Sequence, residues 1–190
     1  MTLDAETRTK LSYAGTSGLS DGMERLGMPR SVATGFRCMT DGAVVGTAFT
    51  IRQVPKHAPA THDQRLVRHA DVSRELAHPG DFVVVDAGGR TDIAGWGENH
   101  SARCQARGVS GALINGAIRD VAGIRRLGFP VFHLGASPIA SRWDQETAEI
   151  GGPVVVGGVQ IRPGDVLVAD EDGLVVIAPS QLADILSELR

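Results

Sequence analysis

The sequence is short of the residues that several function classes require. It has only two cysteines, Cys38 and Cys104, in 190 residues. They have no partners at metal-site spacing, and two cysteines in a chain of this size make no disulfide scaffold. Aromatic residues are few and scattered (5 Phe, 2 Trp and 1 Tyr), which argues against a base-stacking platform. Neither sign of charge dominates: 19 basic and 22 acidic side chains leave a net charge of -3. That balance speaks against strong nonspecific binding to nucleic acid. No apolar run approaches the roughly 18 residues of a membrane span. The segment from Met1 to Lys10 is polar and mixed in charge, unlike a secretory signal. These features together predict a cytoplasmic protein without membrane or nucleic-acid partners.

Familiar motifs are missing as well. No Gly-x-Gly-x-x-Gly follows a predicted strand, and Gly88, Gly89, Gly95 and Gly97 are wrongly spaced for one. There is no P-loop, no His-Glu-x-x-His and no Gly-x-Ser-x-Gly elbow. The six histidines (His57, His62, His69, His78, His100 and His133) form no spaced ligand set and read as surface residues. His62 and His69 share a face of a predicted helix but stand about two turns apart.

Glycine is abundant: 24 of 190, against a usual share of about 7%. The chain is 42% apolar and 22% charged, an ordinary globular balance that excludes disorder over most of its length. The length suits a single domain over residues 1–190, long enough to bury a core without staples.

The apolar periodicity divides the chain into three parts. The first begins with two short helices, with Thr16 or Ser17 as the cap of the second. Leu19, Met23 and Leu26 recur at helical spacing, and Gly27 closes the segment. A strand is predicted from Ala43 to Ile51 and an amphipathic helix from His62 to Ala77, with apolar positions at Leu66, Val67, Ala70 and Leu76 and charges between them. The middle part alternates. Phe82–Val85, Ala112–Ile114 and Pro130–Leu134 are short apolar runs of the kind buried on both faces of a sheet. Gly95 to Gly108 and Val121 to Leu127 read as helices between them, so the order is β-α-β-α-β with parallel pairing. In the last part, Val154–Ile161, Val166–Ala169 and Leu174–Ile177 are predicted strands, and Ser180 caps a helix from Gln181 to Leu189. Residues 79–86 (Pro-Gly-Asp-Phe-Val-Val-Val-Asp) echo residues 163–170 (Pro-Gly-Asp-Val-Leu-Val-Ala-Asp), which reads as shared turn chemistry.

Two stretches carry chemistry. Gly95-Trp96-Gly97-Glu98-Asn99-His100 lies at a predicted loop-to-helix junction. Free amides at a helix N-terminus, with glycines allowing close approach, suit a small carboxylate or phosphate. Glu98 would face whatever binds there, although acids favour the first turn of any helix. Asn115-Gly116-Ala117-Ile118-Arg119-Asp120 follows a buried strand, where ligands bind in α/β sheets. Arg119 either grips a carboxylate bidentately or forms a surface salt bridge. Asp120 either offers oxygen to a hard cation such as Mg²⁺ or caps the following helix.

The same stretches resemble the RraA-like superfamily, which includes the class II 4-hydroxy-4-methyl-2-oxoglutarate / 4-carboxy-4-hydroxy-2-oxoadipate aldolases. The matching pieces are the block at 79–86, Trp-Gly-Glu at 96–98, the glycine-rich block ending in Arg-Asp at 108–120 and Pro-Val-Phe at 130–132. Further matches lie at 19–27, 44–50, 157–159, 163–165 and 169–176, so nearly the whole chain takes part. The resemblance implies an α/β/α sandwich of the swivelling-domain type, assembled as a homotrimer or homohexamer with sites between subunits. It implies that Arg119 binds substrate, that Asp120 binds Mg²⁺ or Mn²⁺, and that Glu98 orders a water on the metal. It also implies that Gly97, Asn99 and His100 hold the pyruvate carboxylate through their backbone. No organic cofactor is implied.

The implied activity is cleavage of a pyruvate-derived α-keto acid, by retro-aldol reaction or by decarboxylation of oxaloacetate. No Schiff-base lysine is needed, and the only lysines, Lys10 and Lys56, lie outside the implicated stretches. Family aldolases draw a further acid from a neighbouring subunit's C-terminal region, where this chain offers Glu188. Some superfamily members resemble regulators that bind an endoribonuclease complex, and reaction on a sugar acid or hydroxy acid is a third reading. A methyltransferase label used in the superfamily lacks support here, because no glycine-rich nucleotide loop is present.

Overall fold

The computed structural model describes residues 3–57 and 69–189. The chain begins with α1 (Ala5–Arg25), followed by two short strands, β1 (Val32–Ala33) and β2 (Arg37–Cys38). Asp4 caps α1 by accepting a hydrogen bond from the Thr7 amide. Gly15 (φ 63°, ψ 179°) breaks α1 into two helical halves, as the sequence predicts. Thr16 does not cap the second half. Its amide and hydroxyl both donate to the Asp170 carboxylate, which ties the break to the far end of the chain.

The sheet core is built from β3 (Val44–Pro55), β4 (Asp81–Asp86), β5 (Ala94–Trp96), β6 (Gly111–Ile118) and β7 (Val131–Ala136). Between them lie α2 (His69–Asp71) with one turn of π-helix (Val72–Leu76), α3 (Glu98–Ala106) and α4 (Val121–Leu127). Then come β8 (Gln145–Ile150), β9 (Val154–Val156), β10 (Val159–Ile161), β11 (Val166–Ala169), β12 (Leu174–Ile177) and α5 (Leu182–Glu188). The main sheet runs β1-β12-β11-β3-β4-β6-β7-β2, with β5 beside β6 and β8 beside β3. Strands β3, β4, β6 and β7 are parallel, so the predicted β-α-β-α-β alternation holds. The fold is mixed α/β, with helices packed on a curled sheet.

The strands divide their apolar residues by parity. Val83, Val85, Ala112 and Ile114 join Trp96, Cys104 and Ile124 in one core cluster, beneath α3 and α4. Their neighbours Phe82, Val84 and Leu113 join Phe132, Val154, Val156 and Ile161 in a second, on the side of the β9–β10 hairpin. Alternate residues of a strand point to opposite faces, which is why a strand covered on both sides reads as a continuous apolar run. A third cluster packs Leu11, Leu19 and Met23 of α1 and Ile185 of α5 on Val166, Val168, Val175 and Ile177.

Several boundaries differ from the sequence reading. Gly95 and Trp96 belong to β5 rather than to a helix, because Trp96 is buried beside β6 and Gly97 begins α3. The strand predicted at Ala112–Ile114 continues to Ile118, so the loop that follows is only Arg119 and Asp120. Val154–Ile161 is two strands folded at Gly157 and Gly158, both at positive φ. Strand β8 went unpredicted because its residues, Gln145–Ile150, are mostly polar. Ser180 caps nothing: Gln181 instead accepts a hydrogen bond from the Ala178 amide ahead of α5. The predicted helix from His62 falls partly outside the described residues, with Leu66 and Val67.

The two echoed segments fold alike. Asp81 accepts a hydrogen bond from the His78 amide at 2.7 Å, and Asp165 accepts one from the Arg162 amide at 2.8 Å. Gly80 (φ 85°) and Gly164 (φ 90°) turn each chain into its strand. The echo is one turn used twice.

Candidate active site

The ends of β5 and β6 hold the site. The Arg119 amide donates to the Trp96 carbonyl at 2.9 Å, which fixes the two strand ends together. From there the chain runs into α3 at Gly97 and into α4 at Asp120. Asp120 stands at the N-cap of α4, but its side chain makes no capping hydrogen bond. It takes the left-handed conformation (φ 58°, ψ 36°), the one non-glycine residue with positive φ among those described. That conformation is disfavoured for residues with a β-carbon and recurs at functional sites. It turns the carboxylate toward α3, where Oδ2 lies 3.4 Å from the Glu98 amide and 3.5 Å from Nε of Arg119. Asp120 thus does not cap α4, and the salt bridge expected of Arg119 is the one it forms with Asp120 itself. They face each other and a cavity.

Gly97 makes this approach possible. A β-carbon there would lie 2.7 Å from Oδ2 of Asp120 and 3.2 Å from Cγ of Arg119. Gly97 offers no side chain to cap α3, and the amide of Asn99 has no partner among the described residues. The His100 amide, by contrast, is bonded to the Gly97 carbonyl at 3.1 Å.

A cavity of about 350 Å³ opens over these residues, with Gly97, Asn99, His100, Arg119 and Asp120 in its wall. Arg74, Arg103 and Arg142 join Arg119 there, against Asp120 as the only acid among the described lining residues. The cavity is therefore suited to an anion. Arg119 and Asp120 also border a second hollow with Ala136, Ser137 and Pro138. Glu98 does not line the cavity. Its carboxylate turns back over Gly123 in α4, where a β-carbon would lie 2.1 Å from Oε2.

Two of the histidines expected at the surface, His69 and His100, instead form part of the cavity wall. His69 is 4% exposed, and burial lowers its pKa to about 4 against a hydrogen bond to the Gly95 carbonyl. His100 is lowered to about 3, by burial first and then by His69 and the arginines Arg103, Arg74 and Arg119. His133 is buried too, bonded to the Gly135 carbonyl. His57 and His78 are exposed, and His62 lies outside the described residues. No sequence signal separated His69 from the rest, and for His100 the sequence pointed only to its backbone. Their placement depends on β3, where a register shift between Arg52 and Gln53 accompanies a buried Gln53 side chain 2.9 Å from Nδ1 of His69.

Among the described residues, no group of three or more His, Cys, Asp or Glu side chains is placed to hold a metal ion. A cage made wholly of these side chains is thus absent from them. Mg²⁺ needs less: one or two carboxylates, with waters and substrate oxygens completing its shell. Asp120, held in the recess that Gly97 leaves open, fits that requirement. Burial raises the Cys104 thiol to about 12, away from any ligand role. Asn115 is structural, donating to Asp86 across the β4–β6 pair at 2.8 Å. Glu188 pairs with Arg25 of its own chain.

A family model described as RraA-like, Aldolase/RraA, matches residues 16–176. A protein of Halalkalibacterium halodurans named "Putative 4-hydroxy-4-methyl-2-oxoglutarate aldolase" is 37% identical over 114 residues, 60% of this chain and 54% of that protein. One of the same name from Deinococcus radiodurans is 41% identical over 98 residues, 52% of this chain and 61% of that protein. The chain spans about half the length of such curated relatives. Among solved structures, Streptomyces coelicolor RraAS2, described as an unusual member of the RNase ES inhibitor RraA protein family, is 30% identical with a TM-score of 0.84. That likeness covers 98% of this chain and 91% of the other.

Proposed function

The chain belongs to the RraA-like family, and from that premise we propose that it is a divalent-metal-dependent carbon–carbon lyase acting on a pyruvate-derived α-keto acid. The reaction is retro-aldol cleavage of the 4-hydroxy-4-methyl-2-oxoglutarate type, or decarboxylation of oxaloacetate. The observation that carries this reading is Asp120, held in a strained conformation beside Arg119 at the mouth of an arginine-rich cavity. A surface that only binds another protein has no need of that arrangement.

Both reactions leave the electron pair of the broken bond on an enolate of pyruvate. Asp120 would hold a Mg²⁺ or Mn²⁺ ion, which when bound would supply Lewis-acid stabilisation of that charge. Arg119 binds and orients the substrate carboxylate through its planar fork. Gly97 leaves room for the substrate at the α3 N-terminus, where the free Asn99 amide donates to an anionic oxygen. Glu98, whose carboxylate lies over Gly123 beside this recess, would take up or return a proton through water once turned toward the substrate. The exposed Ile139 and Trp143 flank Ala140, Ser141 and Arg142 of the cavity wall. We read this rim as the side that a second copy covers in a homotrimer or homohexamer.

The test is pyruvate release from oxaloacetate and from 4-hydroxy-4-methyl-2-oxoglutarate, coupled to lactate dehydrogenase and NADH. Metal-only controls are subtracted, and Mg²⁺, Mn²⁺ and EDTA are compared. Turnover that needs metal and disappears in Arg119→Ala supports the lyase. Likeness to RraAS2 along almost the whole chain favours a second reading, a regulator that binds an RNA-processing enzyme. Silence on both substrates, with a stoichiometric ribonuclease partner in a pull-down, would establish that reading instead.

A further inference from the structure

The cavity wall is rich in groups that can only donate hydrogen bonds. Its arginines meet carboxylates well, but a substrate hydroxyl also needs an acceptor for its own proton. We propose that Nε2 of His100 is that acceptor, making His100 a specificity-determining residue for acids that carry a hydroxyl. The proposal rests on the small-acid reading of the cavity given above and adds a side-chain role to it.

In the arrangement of protons proposed around His100, the ring hydrogen is on Nδ1. The Ser73 hydroxyl donates its single proton to the Ala70 carbonyl at 3.0 Å. Nδ1 of His100 lies 2.9 Å from that same oxygen; with the Ser73 proton on Ala70, Nδ1 carries the hydrogen and donates to Ser73. Nε2 is then left with a bare lone pair. It has no hydrogen-bond partner among the described residues, and His100 is one of the residues lining the cavity. Burial first, then His69 and the arginines of the wall, keep the imidazole neutral near pH 7, so the lone pair stays available.

The ring is also held in place. Trp96 stacks on it at 4.9 Å between centroids, with 27° between planes. His69 lies 5.0 Å away, tilted by 30°. His69 is locked in turn: it accepts from the Gln53 amide at Nδ1 and is hydrogen-bonded to the Gly95 backbone as well. An acceptor fixed in this way loses little entropy when it meets a hydroxyl, which is how a site discriminates between ligands of otherwise equal charge.

The test is calorimetric, in the presence of Mg²⁺, with L-malate and succinate as probes. They are dicarboxylates of the same length that differ by one hydroxyl. The unsubstituted protein is expected to prefer malate by about tenfold, the scale of one well-placed hydrogen bond. His100→Phe keeps a flat ring beside Trp96 and removes the acceptor, so the malate-to-succinate ratio should collapse toward one. His100→Gln, which restores an acceptor near the same point, should recover part of it. Ser73→Ala removes only the tautomer lock and should lower the ratio without disturbing the stack, which keeps the test open if His100→Phe does not fold. Equal binding of the two acids by the unsubstituted protein, binding of neither, or a preference that survives His100→Phe would overturn the proposal. Pyruvate release measured on the same samples separates the two readings. Turnover without hydroxyl preference sinks the His100 role alone; preference without turnover sinks the lyase reading alone.

Discussion

Asp120 and Glu98 exchange helix ends. Asp120 precedes α4 but places Oδ2 3.4 Å from the first amide of α3. Glu98 opens α3 but lays its carboxylate over Gly123, in the first turn of α4. Each acid sits where the other helix presents its unpaired amides and the positive end of its dipole. The exchange sets two carboxylates at the joined ends of β5 and β6, and it depends on Gly97 and Gly123 having no β-carbon.

Gly123→Ala tests that dependence. A β-carbon at 123 would overlap the Glu98 carboxylate, whose nearest oxygen would be 2.1 Å away. The flexible Glu98 side chain can swing out, so the fold survives. Alanine also suits a helix better than glycine, by about 1 kcal/mol. The expected result is a melting temperature unchanged or raised and pyruvate release reduced at least tenfold. A variant that keeps full turnover would show that Glu98 does nothing in the reaction.

Asp120→Gly and Asp120→Asn separate strain from charge. The left-handed conformation costs a residue with a β-carbon about 1–2 kcal/mol, and glycine adopts it freely. Asparagine tolerates it but brings no charge. Asp120→Gly is therefore expected to melt at or above the temperature of the unsubstituted protein, although glycine's greater freedom in the unfolded chain offsets part of the gain. Both variants should lose metal-dependent turnover and bind Mg²⁺ weakly by titration calorimetry. Full activity in Asp120→Asn would remove Asp120 from the cation site.

The sequence exposed this site unevenly, for physical reasons. Arg119 and Asp120 were legible because they end a glycine-rich block after a buried strand, and β6 delivers them to the cavity as a neighbouring pair. Gly97 and Asn99 were legible from the start of α3. Glu98 was placed in the right turn but facing the ligand, because its packing on Gly123 is a contact between two helices that periodicity does not register. His69 was not legible, and His100 only through its backbone, because the burial of both rings depends on β3, the π-helical turn and Trp96 meeting in space. The alternation in the middle of the chain predicted the parallel strands, while β8 escaped because it pairs along β3 through polar residues.

His69 makes stability depend on pH. In the unfolded chain it titrates near 6.5; in the fold it stays neutral down to about 4. Between those values the unfolded state binds the extra proton, so stability rises with pH across that window and flattens above it. The difference amounts to about 3 kcal/mol for His69, and His100 acts in the same direction. Urea unfolding at pH 7 and pH 4.5 should show the loss. His69→Asn should be less stable at pH 7 yet lose less on acidification. An equal loss in both proteins would mean that His69 is protonated in the folded state.

Arg119 is where substrate binding and metal binding come apart. Its side chain is 42% exposed and lies over Gly97, with Nε 3.5 Å from Oδ2 of Asp120. Removing it leaves Asp120 in place, because the backbone bond from the Arg119 amide to Trp96 does not need the side chain. A charge-assisted hydrogen bond to a carboxylate is worth about 1.5–3 kcal/mol. Arg119→Ala should therefore lower kcat/KM by roughly 10- to 100-fold, with Mg²⁺ affinity little changed. Arg119→Lys keeps the charge but replaces a planar fork by a point donor, so it should recover only a small part of the loss. Steady-state kinetics of both variants, with Mg²⁺ titrations alongside, decide the matter. If lysine restores full activity, Arg119 contributes charge alone and the bidentate grip on the carboxylate is wrong.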